Sequence, residues 1–141
     1  MTPVGDGGPA VRRLVEWDAE DLIALAAEYD TPLYVLDCDR VAENCTRLRT
    51  AFPNADVSYA VKANTGRSVL RTVREAGFDA ECASAGEVER AFHAGFTGER
   101  IRYTAVNPPG RDLDRVVQRW REHPELTITV GAADTVDRLR D

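Results

Sequence analysis

Of the 18 lysines and arginines in the chain, 17 are arginine, and the single lysine is Lys62, in the run Tyr59-Ala60-Val61-Lys62-Ala63-Asn64. On a solvated surface either residue supplies positive charge. A Schiff base with an aldehyde needs an amine that can shed its proton, which a guanidinium with a pKa above about 12 does not do. A chain so biased to arginine that keeps one lysine therefore points to Lys62 as the first candidate for chemistry. The competing reading is a strand-end lysine whose stem packs while its amine stays in water.

Two further segments carry groups that could serve such an amine. Glu81-Cys82-Ala83-Ser84-Ala85-Gly86-Glu87 sets two carboxylates around a hydroxyl and a glycine. Ser84 with Glu87 has the S-x-x-E spacing of a capping box. Glu81 falls at the end of a strand beside that of Lys62, where a carboxylate can orient or balance a cationic imine. The run Tyr103-Thr104-Ala105-Val106-Asn107-Pro108-Pro109-Gly110 is a loop stiffened by two prolines that offers the Asn107 amide; its simpler reading is a turn before a helix capped near Asp112. His93 and His123 fall on helices away from the strand ends and read as surface residues, and Trp17 and Trp120 as packing residues. Cys38, Cys45 and Cys82 form neither a CxxC nor a Cys/His pair, so they read as reduced structural thiols, with no metal site.

These residues need elements to position them. Residues 1–10 hold three of the ten glycines and read as a flexible leader. A segment over 11–54 follows: a helix from an Asp18 cap through Leu22, Leu25, Ala26 and Tyr29, a stop at Thr31-Pro32, a short strand Leu33-Tyr34-Val35-Leu36, and a helix capped by Asp39 along Val41, Cys45, Leu48 and Phe52. Over 55–141 strands near 57–61, 79–82, 101–104 and 126–130 alternate with helices, with strand starts about 22 to 26 residues apart. That period belongs to consecutive βα units with right-handed crossovers and a parallel sheet. The fold class is therefore α/β, with about four βα units, half of a (β/α)8 barrel of ~250 residues, or else a small open α/β domain. Alternation along the first strand puts Val57, Tyr59 and Val61 on the helix side and Ser58, Ala60 and Lys62 on the inner side, with the amine at the carboxyl end where barrel active sites lie. A half barrel leaves one unpaired strand edge at each side.

Composition narrows the function classes. With 43% hydrophobic and 30% charged residues, the chain can bury a core and is not a disordered tail. A net charge of −6 and a pI near 5.0 weigh against a general nucleic-acid surface. The amino-terminal run lacks the apolar core of a signal peptide, and no apolar run approaches the ~20 residues of a membrane span, so a cytoplasmic location is expected.

The ordered motifs Thr31-Pro32-Leu33-Tyr34-Val35-Leu36-Asp37, Tyr59-Ala60-Val61-Lys62-Ala63-Asn64 and Ala83-Ser84-Ala85-Gly86-Glu87-Val88 resemble the front third of the diaminopimelate decarboxylases, pyridoxal 5′-phosphate enzymes of the ornithine/lysine/arginine class with an alanine-racemase-like barrel. Alanine racemases have a similar lysine run, but an Ala-Tyr-Gly-His-Gly-like stretch follows it, where this chain has Thr65-Gly66-Arg67-Ser68. The resemblance implies that Lys62 is the catalytic lysine holding the cofactor, that Glu81 stands where the family has Asp, and that Glu87 matches an acidic position near the cofactor. Ala60, Asn64, Ser84 and Asn107 would line the site. It further implies decarboxylation of meso-diaminopimelate to L-lysine by a homodimer, the strand around Tyr34 joining a carboxyl-terminal β domain. The third-strand loop departs from the Gly-Asn-x-Lys pattern, and Asn107-Pro108 stands closer to the ornithine decarboxylase branch. Another basic amino-acid decarboxylase and a non-catalytic pyridoxal-binding or regulatory homologue are therefore the alternatives. The family's ring-stacking histidine, glycine-rich phosphate loop, acid at the pyridine nitrogen and catalytic cysteine lie further along than these 141 residues, so little or no turnover is expected of them alone.

Overall fold

The structure, a computed structural model, describes residues 17–140, so the expected leader over 1–10 lies outside the described residues. The chain divides into two compact units, Met1–Asp37 and Cys38–Asp141.

In the first unit, α1 (Ala19–Tyr29) begins at the expected cap, with the Glu20 amide donating to Asp18 Oδ1 at 2.8 Å. The expected strand over 33–36 does not form: these residues join no ladder, and Tyr34 is fully exposed at 103%. Alternating apolar residues give a strand only where a partner supplies hydrogen bonds, and among the described residues none does.

The second unit opens with α2 (Cys38–Ala51), in which Asp39 lies in the first turn rather than at the expected cap. Its carboxylate still faces the positive end of the helix dipole. Then come β1 (Ser58–Ala60), a 3-10 turn (Val61–Ala63), α3 (Arg67–Glu75), β2 (Asp79–Cys82), α4 (Ala85–His93), β3 (Ile101–Ala105), α5 (Gly110–Glu122), β4 (Thr127–Val130) and α6 (Ala133–Arg140). The strands form one parallel sheet in the order β1-β2-β3-β4.

Alternation sorts the two faces of the sheet. Ala80, Cys82, Ile101 and Tyr103 are buried at 1% exposure or less and join Val61, Leu70, Val73, Val88, Ala91 and Val116 in the core under the helices. On the other face the register aligns Ala60, Glu81, Arg102 and Thr127 in one row.

Arginines tie the helix ends at the opposite edge. Gly77 and Gly95 end α3 and α4 at φ of +85° and +92°, a region open to glycine. Arg49 donates to Ala76 O at 2.8 Å, Arg74 to Gly95 O at 3.3 Å, and Arg100 to Arg74 O, Phe78 O and Asp79 Oδ1.

Candidate functional site

Three segments meet at the carboxyl edge of the sheet: the turn after β1, the β2–α4 loop and the β3–α5 loop. Lys62 is on the first, but not as a continuation of the strand. The ladder stops at Ala60, and Lys62 rides the middle of the 3-10 turn. The reason is local. Val61 drops into the core at 0% exposure, and the backbone beyond it curls because Asn64 makes two bonds: its carbonyl accepts from Tyr59 Oη at 3.3 Å, and its Oδ1 accepts from the Gly66 amide at 2.8 Å. A Cβ on Gly66 would stand 2.9 Å from that same Oδ1, so a side chain there would push on the Asn64 amide that closes the turn. Asn64, expected to line the site, sets the shape of the turn that carries Lys62. The Lys62 side chain is exposed, and among the described residues no hydrogen bond or ion pair holds its amine.

Beside the turn, Glu81 stands half-buried between Ala60 and Arg102 on the open face, as the strand alternation requires. Behind it, Cys82 is 0% exposed, and its thiol is pushed up to about 12 by burial first and by the Glu87 and Glu81 carboxylates after it. Such a thiol stays neutral and unreactive at ordinary pH.

Ser84 and Glu87 form the cap of α4. Ser84 Oγ accepts from the Glu87 amide at 3.3 Å, and Glu87 reaches back to accept from the Ala83 amide at 2.9 Å and from Ser84 Oγ at 3.2 Å. This is the reciprocal logic of a capping box, with the returning carboxylate landing one residue earlier than usual. Asp112 does not cap its own helix. α5 begins at Gly110 with Pro109 at the N-cap and no side-chain cap, and Asp112 Oδ2 accepts from the Ala85 amide, the first residue of α4, at 2.9 Å. Sequence periodicity places an acid near a helix start but cannot say which helix start it serves. Asn107 is exposed in the third loop, whereas Pro108 beside it is buried.

The remaining polar candidates lie elsewhere. His93 is exposed on α4, and His123, just past α5, stacks on Phe92 with ring centroids 4.6 Å apart. Trp120, expected to pack, keeps 43% of its surface exposed beside Val117, Ile128 and Leu139 at the β4 side. Among the described residues no group of three His, Cys, Asp or Glu side chains is placed to hold a metal ion, and no helix is long and apolar enough to cross a membrane.

The edge thus offers one accessible amine on a pinned turn, small neighbours at Ala60 and Ala63, and a carboxylate on the adjoining strand, a donor set that fits an aldehyde. The amides of Ala83, Ala85 and Glu87 at the start of α4 already have side-chain acceptors from the chain itself, so they are not a seat for a cofactor phosphate.

Residues 38–141 match the family described as pyridoxal-dependent decarboxylase, pyridoxal binding domain. The diaminopimelate decarboxylase of Methanothermobacter thermautotrophicus is 45% identical over 91 residues, 62% of this chain and 21% of that protein. That of Mycobacterium tuberculosis is 34% identical over 119 residues, 84% of this chain and 26% of that protein. Among solved structures, AQ1208 from Aquifex aeolicus superposes with a TM-score of 0.72 at 34% identity over 84% of this chain and 29% of its own. Lysine decarboxylase from Selenomonas ruminantium superposes with a TM-score of 0.75 at 27% identity over 87% and 32%. The chain spans about a fifth to a quarter of the length of these curated relatives.

Proposed function

This chain belongs to the pyridoxal-dependent decarboxylases, matching their pyridoxal binding domain, and from that premise we propose that Lys62 holds pyridoxal 5′-phosphate in a protein that decarboxylates meso-diaminopimelate to L-lysine. The four βα units are a portion of the (β/α)8 barrel of this family. The observation that carries the reading is the only lysine of the chain, exposed on a pinned turn at the carboxyl edge of a parallel sheet, the edge where such barrels do their chemistry.

The cofactor, when bound, supplies the electron sink that lets the bond from Cα to the carboxylate break. The rest falls to this chain's residues. Lys62 would hold the cofactor's aldehyde through its amine nitrogen. Glu81, on the adjoining strand, balances positive charge at that nitrogen. Glu87 and Ser84 order the second loop through the cap of α4, and Asn64 holds the turn under Lys62. Ala60 leaves space below the amine, and Asn107 offers its amide to a bound ligand from the third loop. By the resemblance, the complete protein is a cytoplasmic homodimer in lysine biosynthesis.

A second substrate reading has its own observation: the third loop carries Asn107-Pro108 rather than Gly-Asn-x-Lys, which favours a basic amino acid such as ornithine or arginine. Carbon dioxide release from each candidate amino acid by the protein with its downstream sequence decides between them, and release from none supports a non-catalytic homologue.

The test of the premise uses residues 1–141. Incubation with pyridoxal phosphate and borohydride is expected to add one reduced pyridoxyl mass to the peptide containing Lys62, and Lys62→Ala to abolish it. Labelling only at the amino terminus, or undiminished labelling in Lys62→Ala, overturns the assignment.

A further inference from the structure

We propose that Asp112 is a positioning residue for the cofactor lysine, resting on the reading of Lys62 above. α5 has no side-chain cap of its own, yet the carboxylate in its first turn bonds not to α5 but to the first amide of α4, 27 positions earlier. That bond ties the start of α5, which follows β3, to the start of α4, which follows β2. It is charge-assisted and half-buried, the stronger kind of hydrogen bond. It also fills one of the donors that every helix start leaves open.

The route from Asp112 to Lys62 is short. α4 packs directly against the 3-10 turn Val61–Ala63 and against β2 and β3, so the height and tilt of its amino end set the surface on which the turn rests. Glu87 and Ser84 fix the loop to α4, but both belong to that loop and that helix. Asp112 anchors the helix start from outside the loop, as Arg119 on Glu89 anchors α4 one turn further along. The start of α5 is held by the burial of Pro108 before it and of Leu113 beside Asp112. The first turn of α5 therefore keeps its place when the carboxylate is changed, and loss of the bond acts on α4 and the turn beyond it.

The sole lysine gives a clean readout, since any ε-amine product reports Lys62. Residues 1–141 as wild type, Asp112→Ala and Asp112→Asn are titrated with pyridoxal phosphate well below their melting temperatures, with borohydride trapping quantified on the Lys62 peptide and the induced circular dichroism of the bound cofactor recorded. Asp112→Ala is expected to weaken trapping about tenfold, the scale of a lost hydrogen bond to a charged group, and to diminish the dichroic band. Asp112→Asn, whose amide oxygen accepts from the same N–H, is expected to restore most of both. A lower melting temperature in Asp112→Ala with trapping and dichroism unchanged marks a purely structural tie and overturns the proposal while leaving Lys62 in place. Absence of trapping from the wild type overturns the Lys62 reading, and this one with it.

Discussion

Lys62 sits on the turn after β1 and Cys82 at the end of neighbouring β2, and burial gives their side chains opposite fates. The amine leaves the core on a turn whose preceding residue, Val61, is its buried anchor, while the thiol is sealed at 0% exposure. Holding the Cys82 thiol up at about 12 makes it a stability group with a definite pH window. In the unfolded chain the thiol loses its proton near its ordinary value of 9.0, whereas the folded chain keeps it until about 12. Above the lower value the folded state binds more protons, so stability falls as pH rises through that window and is fully present below it. Cys45 and Tyr59, both raised by burial, add to the same slope. Urea melts from pH 8 to 11 are expected to show midpoints falling with pH, with a shallower fall in Cys82→Ala. An equal slope in that variant would remove Cys82 from the account.

At the scale of elements, two arginines make ties that a lysine could not. Arg100 serves three acceptors at once, and Arg119 grips Glu89 with two nitrogens, each bond 2.7 Å, while a third bonds Glu122. A lysine ammonium cannot present that planar fork, so at Arg100 and Arg119 arginine is the residue the structure needs. The glycines at the helix ends make this testable. Gly77→Ala puts a Cβ at φ +85° and into the Arg49 guanidinium, so a loss of about 1–2 kcal/mol is expected from the backbone alone. Gly86→Ala lies inside α4, with only Ser84 Oγ at 3.9 Å, and is expected to stabilise by up to about 1 kcal/mol. Denaturant melts read both, and the same sign for the two would contradict the explanation. Sequence periodicity showed the βα rhythm because each strand and helix carries its own apolar pattern. It went astray where a partner or a long-range bond decides: over 33–36, which has no ladder, at Lys62, where the Asn64 bonds curl the chain, and at Asp112, whose acceptor role belongs to another helix.

For the second unit as a whole, the sheet has two open edges, because β1 and β4 each pair on one side only among the described residues. The β4 edge is the more exposed to association. On β4 itself Val130 is 37% exposed, and Val136 of α6 and Trp120 of α5 are 38% and 43% exposed. Proteins protect such edges with charge, and here the edge carries threonines and a valine, so the net charge of −6 is the main force holding copies apart. Salt screens that repulsion over about 10 Å at 0.1 M but leaves apolar and backbone contacts intact. Residues 1–141 are therefore expected to self-associate with rising concentration and more strongly at higher salt, as read by light scattering. Val130→Lys, which sets a cation on the edge, is expected to lower the associated fraction at every salt concentration, whereas Ile23→Lys, a charge change on exposed α1, is expected to leave it nearly unchanged. Equal association in the two variants would show that charge rather than the β4 edge governs it, and a wild-type chain that stays monomeric at high salt would show the edge to be shielded.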